Sequence, residues 1–284
     1  MEGRTKRLKL QKLQELDSPF HGPFSFLMSN LSLLEELEKR LTKSVLEMQE
    51  RQMSEWKRQA DQLNAKDVAA FRRMSAILGI ALARAKKGRL ETRKAQVRFG
   101  SPKGPKLLIK LVKAVVYPPR FNDFIRNMSL VYLISAFENF LEQMMEIAFR
   151  EEPKALVPFQ TTITAEELVK CKDLEAAKTE LAQKAIAVMM YGDIEEINKR
   201  LKQRLGIAMS DVDAWKNFEE RFYRRNLIIH KSGEVDEVYR KKVGFRGKTK
   251  VLRVSDRYLL QSLDLFRNMA LDLFDAFHSK FAGV

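Results

Sequence analysis

The chain is short of the residues on which many kinds of site chemistry depend. One cysteine, Cys171, stands among 284 residues, which excludes an internal disulfide and points to a reducing compartment. It has no CxxC companion, and in the charged stretch "ELVKCKDLEAAK" it reads as a structural thiol. The three histidines, His21, His230 and His278, give no zinc-ligand spacing, so neither a metal nor a cofactor is expected. Neither GxxxxGK[ST] nor GxGxxG occurs, which removes the two commonest nucleotide-binding signatures. Long apolar runs are missing as well. "MSAILGIALARA" is too short to span a bilayer, and "MSLVYLISAFENFLEQMMEIAF" carries Glu138, Glu142 and Glu146, which are costly in hydrocarbon. The opening "MEGRTKRLKLQKLQELDS" lacks the apolar core of a signal peptide. The expectation is a cytoplasmic protein with no membrane partner.

What the chain does have is apolar residues at 45%, enough for a sizeable core, and a formal net charge of +15. The charge is segregated. Residues 81–126 hold thirteen Lys or Arg and two acids, Glu91 and Asp123, and residues 240–253 hold seven basic residues and no acid. Acids crowd 31–50 and 166–180 instead. A positive face of this kind suits a polyanion such as nucleic acid, with an acidic protein partner or a solvated surface as the alternatives.

The periodicity is helical almost throughout, and the fold class is all-α. Leu31, Leu34, Leu37, Leu41, Val45 and Met48 recur three and four apart, and the pattern restarts after Ala65, predicting a long helical hairpin. Glycine and proline punctuate "RFGSPKGPK", and "LLIKLVKAVVY" fits either a short strand or a basic helix. A domain boundary is placed here, giving an N-terminal helical region with a basic linker, 1–118, and a helical bundle, 119–284. The bundle opens with a helix near 121–150. One helix is expected through "TAEELVKCKDLEAAKTELAQKAIAVMMYG", capped by Thr164 ahead of Glu167, and a shorter one ends at Gly206. A helix from Ser210, with Asp213 three residues on, is expected to close at Gly233, and a last one starts at Ser255 or Asp256.

The helix at 210–231 carries "RRNLIIHK". At about 100° per residue, Trp215, Phe218, Phe222 and Ile229 form one stripe toward the core. Arg225 and Asn226 flank it at the core's edge, and His230 shares a face with Asn226 one turn away. A histidine titrates near neutrality, and an arginine beside it can hold a phosphate. Together with Arg224 and Lys231 the group reads as a phosphate-handling site, or else as a helix end whose histidine offsets the dipole.

"RRNLIIHKSGEVDEVYRKKVG" resembles the signature of the HEPN superfamily (higher eukaryotes and prokaryotes nucleotide-binding), in particular the domains of small bacterial ribonucleases and defence toxins. The matching residues are Arg225, Asn226 and His230, followed by a "VDxxY"-like turn, and "ISAFENFLEQMM" resembles the family's earlier core helix with its acid at Glu138. The resemblance covers about residues 119–284. It implies an up-down bundle that dimerises through the motif helices, and metal-independent cleavage of RNA to 2′,3′-cyclic phosphate and 5′-hydroxyl ends. His230 would move the proton, Arg225 stabilise the transition state, Asn226 position the phosphate or the histidine, and Glu138 orient them. Such a protein would be a toxin or antiviral effector, with room for an inhibitory or sensor protein partner. Arg224, Lys231, Lys241, Lys242, Lys86 and Lys87 are the expected RNA-binding residues. The rival readings are a non-catalytic HEPN module that binds RNA, nucleotide or protein, and an interaction protein built on the N-terminal hairpin.

Overall fold

A computed structural model describes residues 17–86, 97–116, 121–159, 161–210 and 214–282. The described chain is all-α: α1 (His21–Asp61), α2 (Ala65–Lys86), α3 (Lys103–Val116), α4 (Phe121–Glu151), α5 (Ala165–Lys170), α6 (Leu174–Met190), α7 (Ile194–Arg200), α8 (Trp215–Lys231), α9 (Glu237–Val243) and α10 (Asp256–Phe281). A 3-10 turn spans Pro153–Phe159, and a π turn, Leu201–Leu205, extends α7. No strand occurs among the described residues; an isolated antiparallel bridge joins Glu234 to Val251. No described helix is long and apolar enough to cross a membrane.

The chain divides into two compact units, one of residues up to Lys39 together with Asp123 onward, the other Arg40–Asn122. This differs from a single cut at 118/119, and the reason lies in the first turns of α1. Phe20, Phe24, Leu27, Leu31 and Leu34 are buried in the same core as α4, α8 and α10. Phe24 packs on Phe274 with ring centroids 4.9 Å apart, and Phe20 on Phe277 at 5.8 Å. Farther along the expected stripe, Leu37, Leu41 and Met48 are exposed, because the bundle's core ends near Leu34.

The centre of the larger unit is aromatic. Phe137 of α4 meets Phe218 of α8 and Phe266 of α10, each at 5.1 Å, and Phe218 lies 4.6 Å from Phe266. Each of these rings is fully buried, a contribution of about 1.5–3 kcal/mol apiece. The edges follow the local chemistry. Thr164 and Glu167 form the capping box of α5. The helix expected to run on from there is interrupted at Cys171–Asp173, where Asp173 accepts from the Ala176 N–H at 2.8 Å and starts α6 anew. Gly206 ends the π turn in the left-handed conformation, and Ser255 caps α10.

The smaller unit holds the later turns of α1, with α2 and α3. "LLIKLVKAVV" is helical, its Leu107 and Leu108 buried and its lysines outward. Asp67, in the first turn of α2, accepts from the Gly100 N–H and the Ser101 hydroxyl, tying the loop ahead of α3 to the start of α2. Asn64 completes the clip, accepting from the Asp67 N–H at 2.8 Å.

Candidate functional site

α8 is held by its first three turns. Phe218, Arg221, Phe222, Tyr223 and Leu227 are its buried positions. The helix starts at Trp215, later than the expected Ser210, and Asp213 lies outside the described residues. Ile229, expected on the buried stripe, is 49% exposed. The large core takes Phe218, Phe222 and, partly buried, Ile228 from α8; Tyr223 and Leu227 pack instead on a small cluster with Tyr239 of α9, about 100° and 140° round the helix from Phe222. The C-terminus is closed by Ser232 at φ 52° and Gly233 at φ 85°, with the Gly233 N–H on the Leu227 carbonyl at 2.9 Å. Gly233 then accepts from the Leu252 N–H, and Val235 donates to Lys250, so α9 is enclosed in a short loop. Asp236 caps α9 by accepting from the Tyr239 N–H, and Tyr239 is buried, which gives the "VDEVY" segment its role here.

Arg225 and Glu138 meet. The Arg225 guanidinium is paired through Nη2 with the Glu138 carboxylate of α4. The Arg225 Nε is buried with no hydrogen-bond partner among the described residues. Burial pushes the Glu138 carboxyl up from its ordinary value, and the charge of Arg225 offsets only part of that. Asn226 and His230 share the outer face of α8 by their four-residue spacing, and both are exposed rather than held at the core's edge. His230 is exposed, and its imidazole makes no hydrogen bond to a described residue. No group of three His, Cys, Asp or Glu side chains comes together as a metal-holding cluster among the described residues.

The other expected residues separate into two kinds. Lys231 and Lys241 are exposed at the end of α8 and on α9. Arg224 is turned inward, its side chain 11% exposed and paired with Glu220 at 2.8 Å. Lys242 is bound to Glu195 at 2.8 Å and Asp193 at 3.3 Å, which hold its ammonium well above the ordinary lysine value. Lys86 belongs to α2, and Lys87 lies outside the described residues.

One cluster escaped the sequence reading. Glu220 is surrounded by Arg224, by Arg221 at 3.2 Å, and by the hydroxyls of Tyr239 and Tyr258, the latter donating at 2.6 Å. The Arg221 and Arg224 guanidiniums stack over the Tyr258 ring at 4.5 and 4.8 Å. Burial works to raise the Glu220 carboxyl, but Arg224 and the two tyrosine hydroxyls outweigh it, and the net shift is downward. The same burial and the Glu220 charge raise the Tyr258 phenol far above its usual value. The cluster ties α8, α9 and α10 together. The four-residue step from Glu220 to Arg224 was its visible signal; nothing in the sequence marks Tyr258 as the third member.

Set against family models, curated proteins and solved structures, the chain matches none of them.

Proposed function

We propose that the chain is a metal-independent endoribonuclease of the HEPN type, a toxin or antiviral effector, working through Arg225, Asn226 and His230 of α8 with Glu138 of α4. The observation that carries this reading is the Arg225–Glu138 pair. Two residues singled out from separate stretches of sequence are in contact, while the Arg225 Nε is left without a partner and His230 stands open one turn beyond Asn226.

The chemistry follows from these groups. The ribose 2′-hydroxyl gives its proton to a base and forms a bond to the adjacent phosphorus. The bond from phosphorus to the 5′-oxygen breaks, and that oxygen takes a proton from an acid. The products are a 2′,3′-cyclic phosphate and a 5′-hydroxyl. His230 fits either proton transfer, since imidazole titrates near neutral pH. Arg225 bears on the phosphoryl oxygens as negative charge grows there, and Glu138 holds the guanidinium in place for that task. One motif histidine per chain makes two copies the natural unit, their α8 ends facing one cleft so that one imidazole accepts while the other donates. Exposed Ile229, on the same end of α8, suits such an interface. The test is incubation of the purified chain with total RNA in EDTA, beside His230→Ala. Cleavage by the first and not the second supports the reading; intact RNA in both argues for a module that binds without cutting.

A further inference from the structure

The net charge of the protein belongs almost wholly to one of its two units. Residues 40–122 contain twenty Lys or Arg and six Asp or Glu, a formal +14. The remaining residues, which include the Arg225 helix, are left with +1. The second basic stretch, 240–253, is offset only in part, with Lys241, Arg246, Lys248 and Lys250 exposed. Lys242 is bound to two acids, Arg253 faces Asp123 at 3.6 Å, and Arg240 donates to the Gly247 carbonyl at 3.0 Å.

Within residues 40–122 the charge has a regular face on α3. Lys103, Lys106, Lys110 and Lys113 step by three, four and three residues and fall within about 80° of arc over about 15 Å of helix. All four are exposed, and the chain carries no acid between residues 92 and 122. Glu55 of α1, already paired with Arg58, lies within electrostatic reach of Lys110. The opposite face of α3 is spent: Leu107 and Leu108 are 4% and 9% exposed, and α3 packs on α2.

We infer that residues 40–122 are a nucleic-acid capture module whose α3 lysine row tracks a phosphodiester backbone. A lipid surface would need a broad apolar side on this basic helix; Leu107 and Leu108 are buried, and among the described residues of α3 Ile109, 55% exposed, is the one large apolar side chain left outward. A protein partner would need an apolar centre beside the charges, and the one exposed apolar side chain described there, Ile109 at the margin of the row, is too small a patch to supply it. An evenly stepped line of ammonium groups without side-chain forks fits a repeating point charge, which is what a phosphate backbone presents. This inference stands apart from the nuclease reading, since it concerns capture and places no chemistry in this unit.

The experiment uses the full chain carrying His230→Ala, so that any probe stays intact, and measures anisotropy of a labelled single-stranded oligouridylate from about 50 to 200 mM salt. Changing all four lysines to glutamate should make the log–log salt slope shallower by about 3, at roughly 0.7 per lost phosphate contact. Lys154, Lys172, Lys199 and Lys216, exposed in the other unit, receive the same change as the control for total charge and should lower the slope far less. Circular dichroism confirms α3, and the four-glutamine variant replaces the glutamate one if helix content drops. A labelled RNA duplex tells single from double strands. Equal slopes for both charge-reversed chains, or binding of a polyglutamate peptide or anionic vesicles as tight as that of RNA, would overturn the proposal.

Discussion

Arg225 of α8 donates to the carboxylate of Glu138 on α4, across 87 residues of sequence, and its Nε remains buried with no partner among the described residues. Under the proposed function this guanidinium bears on the phosphoryl oxygens while Glu138 holds it in place. His230→Ala should therefore lower RNA cleavage by about 10²- to 10⁴-fold, the usual worth of a general acid or base. Because His230 is exposed, its removal should leave stability within about 0.5 kcal/mol by urea unfolding. Arg225→Lys should fold normally and lose most of the rate, since an ammonium cannot supply the planar fork. A large loss of stability in both variants would make the pair structural.

The Glu220 cluster should behave in the opposite way. Glu220→Ala leaves Arg221 and Arg224 buried without their counter-charge, which should cost about 3–5 kcal/mol. Tyr258→Phe removes a single bond to a charged acceptor and should cost about 1.5–3 kcal/mol. Both are read by denaturant unfolding. The Glu220 carboxyl is lowered in the folded chain, so its contribution is fully present above the ordinary carboxylate value of 4.5 and is lost as pH falls through the folded value. Wild type should weaken over that acidic range more steeply than Glu220→Gln.

Gly233 has a conformational reason to be glycine. Its φ is 85°, and a Cβ there would lie 2.8 Å from the Leu252 carbonyl oxygen. Gly233→Ala should destabilise the end of α8 by about 1–3 kcal/mol. Hydrogen exchange should show the loss concentrated in residues 227–252. Protection equal to wild type there would mean that the turn relaxes without cost.

Much of the helical order was legible because caps and apolar spacing are local signals. Thr164 with Glu167, Gly206 and Ser255 stand where their chemistry places them. The break at Asp173 was also local, but the apolar pattern on both sides masked it. What could not be read was partnership. Ile229 shares an angle with Phe222, yet in that turn the core takes Ile228, partly buried, and leaves Ile229 exposed. Arg224 and Arg225 are neighbours of one type in the sequence. One is locked behind the helix by Glu220, and the other is turned to Glu138. The boundary between the compact units falls inside α1, between Lys39 and Arg40, where the sequence shows no break, because periodicity does not record which helices share a core.

Association is the next expectation. A single exposed histidine per chain cannot comfortably serve as both acid and base in one turnover, so the active unit should be a dimer by light scattering at micromolar concentration. Ile229→Asp should shift it toward monomer and lower activity in parallel. A monomer that cleaves at full rate would rule the shared cleft out.

The most direct measurement is the chemistry of the ends produced from a 5′-labelled RNA in EDTA, with a matched RNA bearing a 2′-deoxy sugar at the cleaved position. The account predicts 2′,3′-cyclic phosphate and 5′-hydroxyl ends from the first RNA, no cutting at the deoxy position in the second, and neither product from His230→Ala. Cleavage at the deoxy position, or equal cleavage by His230→Ala, would contradict it.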